Sequence, residues 1–288
     1  MITRMARATR RAVLQAGGLA AGAFALANLL QPTESRADIP SDLNSLPLDP
    51  SPATAAAPSY VTGSFVSAAR GGVETNWAIA RPPGAGDGLR PVIALHGRDG
   101  NAASVMDLGV AAALAKVVKA GVSPFAVVSV DGGNTYWHRR ASGEDSGAMV
   151  LSELLPMLAA KGLDTSRVAF LGWSMGGYGS LLLGARLGPV RTAGICAVSP
   201  ALWTSYLTTD DGAFDSSYDW SNNTVFGRSE LTSIPIRVDC GTEDRFYAAS
   251  RQFVAQLGKP AAGSFSPGGH DAVYWRSHLA DELTWLTS

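Results

Sequence analysis

A short apolar run, residues 168–171, leads directly into Gly172-Trp173-Ser174-Met175-Gly176-Gly177, and few local structures accept that order. An unbroken apolar run suits a strand buried on both faces. The residues after it, 175–186, keep helical spacing. A strand that turns straight into a helix lifts the residue at the tip into the open. It also draws together the residues two before and two after, so that only hydrogen fits there; Gly172 and Gly176 meet that demand. The chemistry served by such a turn is nucleophilic, because a hydroxyl is a weak nucleophile and must be presented next to a base. Ser174 is therefore the candidate nucleophile. The N–H of Met175, at the start of the helix, is one candidate donor to a developing oxyanion. The bare pattern also occurs as an ordinary glycine-rich turn, so its weight comes from the strand before it and the helix after it.

The remainder of the chain repeats this alternation. Residues 64–68 and 73–80 read as two strands joined at Gly71-Gly72, a hairpin signal. Strands are predicted at 91–95, 125–130, 168–172, 193–198, 236–240 and 263–266. Helices are predicted within 105–119 and at 147–161, 175–186, 247–257 and 271–286. Strands alternating with helices predict an α/β fold with a mostly parallel central sheet covered on both faces. Residues 202–234 break the rhythm with polar and aromatic residues and read as a short cap insertion.

A serine nucleophile needs a base, and the base needs a carboxylate to orient it; in such folds the chain order is serine, acid, histidine. Two histidines follow Ser174. His270 lies in the loop Ser266-Pro267-Gly268-Gly269-His270-Asp271 and is favoured over His278, which falls inside the last helix. The acid is expected after the strand at 236–240, where Asp244 is preferred and Glu243 is its immediate rival, with Asp239 directed away inside the strand. Either acid could instead be a helix N-terminal charge. The loop His96-Gly97-Arg98 follows the third strand; Gly97 permits close approach to substrate and the N–H of Arg98 is the second oxyanion donor expected, while His96 braces the loop.

Ligands of open α/β sheets bind at the carboxyl ends of the strands. Trp173 beside the nucleophile, Tyr136, Trp137 and His138 from the loop after the fourth strand, and Trp203 with Tyr206 from the cap are thus candidate substrate-binding residues, with a simply packed loop as the alternative for 134–140. No cofactor is expected: the glycine-rich turn at 82–88 is followed by no helix, unlike a dinucleotide-binding turn. The histidines are few and scattered, so no metal site is expected either. Cys196 and Cys240 fall in central strands, where buried free thiols are favoured over a disulfide.

The N-terminus carries a different signal. Thr9-Arg10-Arg11-Ala12-Val13-Leu14 precedes a weakly hydrophobic, Ala- and Gly-rich stretch, and Ser35-Arg36-Ala37 supplies small residues for cleavage. Residues 1–37 read as a twin-arginine (Tat) export signal, 38–58 as an extended linker and 59–288 as the catalytic domain. An uncleaved anchor is the alternative, weakened by the polar and glycine residues in the stretch. Removing residues 1–37 takes the formal net charge from −1 to −5, which offers no electrostatic reason to bind nucleic acid. A secreted or cell-wall location follows, with no stable membrane span in the mature form.

From about residue 90 onward the chain resembles the esterase family that groups esterase D-like enzymes with the secreted mycolyltransferases. The resemblance rests on His96-Gly97-Arg98, Gly172-Trp173-Ser174-Met175-Gly176-Gly177, Gly241-Thr242-Glu243-Asp244 and Gly268-Gly269-His270-Asp271-Ala272-Val273-Tyr274-Trp275. It implies the α/β-hydrolase fold and cleavage of carboxylic esters, or acyl transfer, at a small-molecule, lipid or cell-wall ester. In the mycolyltransferases the loop after the third strand begins Asp-Gly where this chain has His96-Gly97, which weakens the case for mycolyl transfer. A non-catalytic exported binding protein that keeps the fold is the alternative of a different class.

Overall fold

The structure is a computed structural model and describes residues 60–287. The expected signal at 1–37 and linker at 38–58 lie outside the described residues. The strands are β1 (Tyr60–Ser67), β2 (Val73–Ala80), β3 (Pro91–Leu95), β4 (Ala126–Val130), β5 (Val168–Trp173), β6 (Thr192–Val198), β7 (Ile236–Gly241) and β8 (Phe265–Ser266). They form one sheet in the order β1-β2-β4-β3-β5-β6-β7-β8. Only β2 runs against the rest, pairing antiparallel with β1 and β4, while the pairings from β4 through β8 are parallel. The order reverses between β3 and β5, so a crevice opens at their carboxyl ends.

Every residue of β3, β4 and β5 is buried, which is the reason these strands read as unbroken apolar runs. Alternation along them feeds two cores: Ile93, Leu95 and Phe170 join one, Val92, Ala94 and Leu171 the other. After α3 (Ser146–Ala148), the π-helical segment Met149–Leu154, α4 (Leu155–Ala160) and α5 (Met175–Leu187) close the first core; α2 (Val110–Lys119) and α8 (Ala272–Thr287) close the second. Among the described residues, no helix is long and apolar enough to cross a membrane.

Two helices depart from the sequence expectation, each for a local reason. The helix expected within 105–119 is two, α1 (Ala102–Met106) and α2, because Gly109 adopts φ 93 between them. Asn101 and Ser104 form a capping box that starts α1. The helix expected at 147–161 widens into the π segment just ahead of Pro156, whose missing N–H cannot serve a regular i→i−4 ladder. That segment carries Glu153, which accepts from the Ser67 hydroxyl at 2.5 Å and the Ala69 N–H at 2.8 Å and so ties the β1–β2 hairpin down. Residues 202–234 hold two 3₁₀ turns and α6 (Ser217–Asn223) and pack on the loop after β4: Asp215 takes the Arg140 guanidinium at 2.6 Å, and Phe214 stacks on His138 at 5.3 Å. α7 (Tyr247–Gln256) follows β7.

Cys196 and Cys240 are buried free thiols, as the sequence favoured. Burial pushes both thiols up, Cys240 to about 12. Cys196 lies near Asp239 of β7 and Glu282 of α8, with ligand-type atoms all within 4.8 Å of one another, a grouping not foreseen in the sequence. Asp239 is already saturated by Arg237 at 2.5 Å and the Ser264 N–H at 2.8 Å, so the cluster suits protons better than a metal ion. Glu282 is fully buried, and neither of its carboxylate oxygens has a hydrogen-bond partner among the described residues. Burial pushes its carboxyl far above the usual range, the Asp239 charge adds to this, and Arg237 opposes it. A carboxyl raised in the folded state contributes stability that is fully present below its unfolded value, near pH 4, and is lost as pH rises toward the folded value. Glu282→Gln is therefore expected to match the wild type in Tm at about pH 4 and to exceed it by about 5 °C at pH 8. Thermal unfolding followed by circular dichroism across that range checks this; parallel curves would refute it.

Candidate active site

Ser174 sits between β5 and α5 with φ 56 and ψ −118, a conformation that an L-residue keeps only when its surroundings enforce it. The enforcement is visible at the two flanking glycines. A Cβ on Gly172 would stand 2.2 Å from the Gly176 carbonyl oxygen, and one on Gly176 would stand 1.9 Å from that of Leu95. Among the described residues, the other non-glycine positions with positive φ are Asp99, Tyr136, Trp137 and Ser199. Together with Ser174 they follow the carboxyl ends of β3, β4, β5 and β6, so backbone strain gathers along the one edge of the sheet where ligands bind.

The loop after β8 brings His270 to Ser174, with Nε2 2.9 Å from the serine Oγ. The turn after β7 brings Asp244 to the other side of the ring, with Oδ2 2.8 Å from Nδ1. Burial would raise the Asp244 carboxyl, but the hydrogen bonds from His270 and from the Phe246 N–H, the latter at 2.8 Å, outweigh it and hold the carboxyl below its ordinary value. Asp244 is thus an anion that only accepts, so Nδ1 of His270 carries the ring proton and Nε2 offers its lone pair to the serine. Phe246 and Trp275 flank the imidazole edge-on at 5.3 Å each and restrict its tilt. Glu243 is exposed and takes no part, Asp239 pairs with Arg237, and His278 packs on Tyr274 within α8 at 4.3 Å.

A cavity of about 550 Å³ opens over Ser174 and His270. Gly97, Arg98 and Trp173 are among the residues that line it. A Cβ on Gly97 would lie 3.3 Å from the Trp173 carbonyl oxygen and 3.4 Å from the Ser174 Cβ. Met175 opens α5 fully buried, so its N–H lies beside the serine at the helix N-terminus. Four of the aromatic candidates need correction. Trp137 and His138 are completely buried and do not line this cavity. Trp137 lies under Gly132 and Gly179, where a Cβ would strike its ring at 2.5 and 2.3 Å. His138 bonds the Ala213 carbonyl at 3.2 Å. Tyr136 is buried against Tyr178 and Phe214, and Trp203 lines a separate depression of about 360 Å³. Aromatic side chains near a ligand edge had two destinations, and here the core beneath the strained loop took Trp137 and His138 entirely.

Sequence reasoning missed the cavity's far wall, which Val105 and Leu108 supply from the α1–α2 region and Trp275 and Arg276 from α8. Trp275 had a signal in its place one helical turn beyond His270. It also missed Arg245, which lies between the cavity and the second depression, paired with Asp210 at 2.6 Å and standing over the Phe246 ring at 4.3 Å.

A serine at a strained strand-to-helix turn, hydrogen-bonded to a histidine on a sheet of this order, defines a serine hydrolase of the α/β-hydrolase fold. Residues 72–286 match the family model described as "Putative esterase", and the chain belongs to that family. The protein is accordingly a serine esterase or a closely related enzyme. No curated protein matches it in sequence. Among solved structures it is similar to a ferulic acid esterase at 20% identity and a TM-score of 0.69, covering 80% of this chain and 98% of that one. It is similar to the S-formylglutathione hydrolase of Staphylococcus aureus at 17% identity and a TM-score of 0.65, covering 80% and 99%. It is also similar to MPT51 of Mycobacterium tuberculosis at 18% identity and a TM-score of 0.63, covering 80% and 99%. At these identities the structural likeness speaks for the fold.

Proposed function

We propose that this protein is an exported carboxylic-ester hydrolase that works through Ser174, His270 and Asp244. The observation that carries the reading is the unbroken chain from the Ser174 Oγ through His270 to Asp244 at 2.9 and 2.8 Å, open to a cavity. As the Ser174 Oγ bonds to the ester carbonyl carbon, its proton passes to His270 Nε2, and Asp244 steadies the imidazolium. The carbonyl oxygen becomes an oxyanion facing the N–H groups of Arg98 and Met175. Collapse breaks the bond to the alcohol oxygen, which leaves with the proton from His270, and an acyl-enzyme remains. A water then gives His270 a proton, attacks the acyl carbon and releases the acid as Ser174 recovers its hydrogen.

Transfer to an alcohol instead of water uses the same groups, and an acceptor arm separates the two: release of free acid alone, with a sugar alcohol supplied in excess, weighs against transfer. The decisive experiment is hydrolysis of p-nitrophenyl esters of increasing chain length together with labelling by a fluorophosphonate, in the wild type and Ser174→Ala. Activity and labelling present only in the wild type support the reading. A wild type inert to both revives a binding protein.

Export belongs to the same proposal and rests on Arg10-Arg11, the weakly hydrophobic stretch after them and Ser35-Arg36-Ala37. It would bring the site to lipid or cell-wall esters. N-terminal sequencing of secreted material is expected to begin at Asp38, and a start at Met1 would overturn the cleavage.

A further inference from the structure

We propose that His96 is a positioning residue for the oxyanion hole, holding the Gly97–Arg98 peptide so that the Arg98 N–H faces the reacting carbonyl oxygen. The proposal rests on the hydrolase reading above and assigns a task to a side chain whose two ring nitrogens both bond backbone groups.

His96 follows β3 directly and is 2% exposed. Its Nε2 accepts a hydrogen bond from the Gly132 N–H at 2.8 Å. A backbone N–H can only donate, so that nitrogen bears no proton and the ring hydrogen is on Nδ1. Nδ1 lies 2.7 Å from the Gly97 carbonyl oxygen, which can only accept, and the Nδ1–H therefore donates to it. The two contacts fix one neutral tautomer between them. The Gly97 oxygen also accepts from the Gly100 N–H at 3.1 Å, so two donors hold that carbonyl from the loop side.

The carbonyl of Gly97 and the N–H of Arg98 belong to one planar trans peptide and point in opposite directions. Holding the oxygen toward His96 and Gly100 turns the hydrogen of Arg98 the other way. Arg98 lines the cavity beside Ser174, and no acceptor among the described residues takes its backbone hydrogen. The imidazole is held in turn by Trp137, whose ring centroid is 5.0 Å away, and through Gly132 by the loop after β4. A donor aimed in advance at the place where charge develops is worth far more than one that must be turned during reaction.

Two near-isosteric replacements divide the contacts. Asparagine places its amide N–H close to Nδ1 and keeps the donor to Gly97. Glutamine reaches the place of Nε2 and can accept from Gly132, but it leaves Gly97 without the side-chain donor. His96→Gln is expected to lose about 30- to 100-fold in kcat on a p-nitrophenyl ester with KM within about 3-fold, and His96→Asn to keep kcat within about 5-fold of wild type. A boronic acid that forms a tetrahedral adduct on Ser174 is expected to lose affinity in His96→Gln by about the same factor as kcat. Equal losses in the two variants at matched Tm would mean that His96 only braces the fold, and the proposal fails. Should neither variant fold, the nitrogen shifts of wild-type His96 decide: a proton on Nε2 at neutral pH overturns the proposal, and a bare Nε2 upholds the geometry on which it stands. A wild type inert toward esters and fluorophosphonate overturns the hydrolase reading and this proposal together, whereas an active wild type with two equally impaired variants overturns this proposal alone.

Discussion

Ser174→Ala is expected to lower kcat on a p-nitrophenyl ester by about 10⁴- to 10⁶-fold while leaving Tm within about 3 °C of the wild type. The loss is large because the remaining groups cannot form the acyl-enzyme. His270 would face a methyl group, and water would have to attack the ester without a positioned nucleophile. Residual catalysis from the oxyanion donors and from binding sets the floor. The fold should persist, because alanine meets the same backbone at φ 56 that serine does, and the strain is held by Gly172 and Gly176 rather than by the hydroxyl. Stopped-time assays at high enzyme concentration, paired with thermal unfolding, measure both quantities. A kcat within about tenfold of wild type would remove Ser174 from the reaction.

Asp244→Asn is expected to lower kcat by about 10³- to 10⁴-fold, whereas Glu243→Gln should change it by no more than about 2-fold. Asparagine can turn its amide N–H toward His270 Nδ1. The ring then shifts its proton to Nε2, and the lone pair that should receive the serine proton is gone. Asp244 is 5% exposed and bonds both His270 and the Phe246 N–H, while Glu243 is exposed at the adjacent position. Steady-state kinetics on the two variants at one pH check the contrast. A large loss in Glu243→Gln with little in Asp244→Asn would exchange their roles.

The two acids show how far sequence could go. Gly241-Thr242-Glu243-Asp244 marks a turn after a strand, and the residue type limits the acid to two neighbours. Which of them turns inward depends on the backbone path between β7 and α7, which no pattern of polarity records. The elbow was legible because its steric demand falls on particular side chains: Gly172 and Gly176 are required by contacts of 2.2 and 1.9 Å, and such a demand leaves its trace as glycine. The order of the sheet was legible as a class, since buried strands such as β4 and β5 carry no polar face. The break at Gly109 and the π turn before Pro156 each had a residue that announced a break but not its kind. The aromatic loop after β4 was misassigned because a ring that lines a ligand cavity and a ring that fills a core look alike in sequence. Trp137 and His138 are decided by Gly132, Gly179 and Ala213, all distant in the chain or too small to carry a pattern.

The three groups of the serine–histidine–aspartate chain are not held with equal firmness. Ser174 rises from β5, flanked on both sides by fully formed parallel strands, while His270 follows β8, a strand of two residues paired on one side at the margin of the sheet. Marginal segments open at lower free energy than central ones. On the proposed mechanism, a warming molecule would then part with its proton carrier before its nucleophile moves. Thermal loss of turnover in this protein becomes a property of its periphery, and hardening the enzyme is a matter of fastening the loop from Ser266 to Asp271 while leaving the centre untouched.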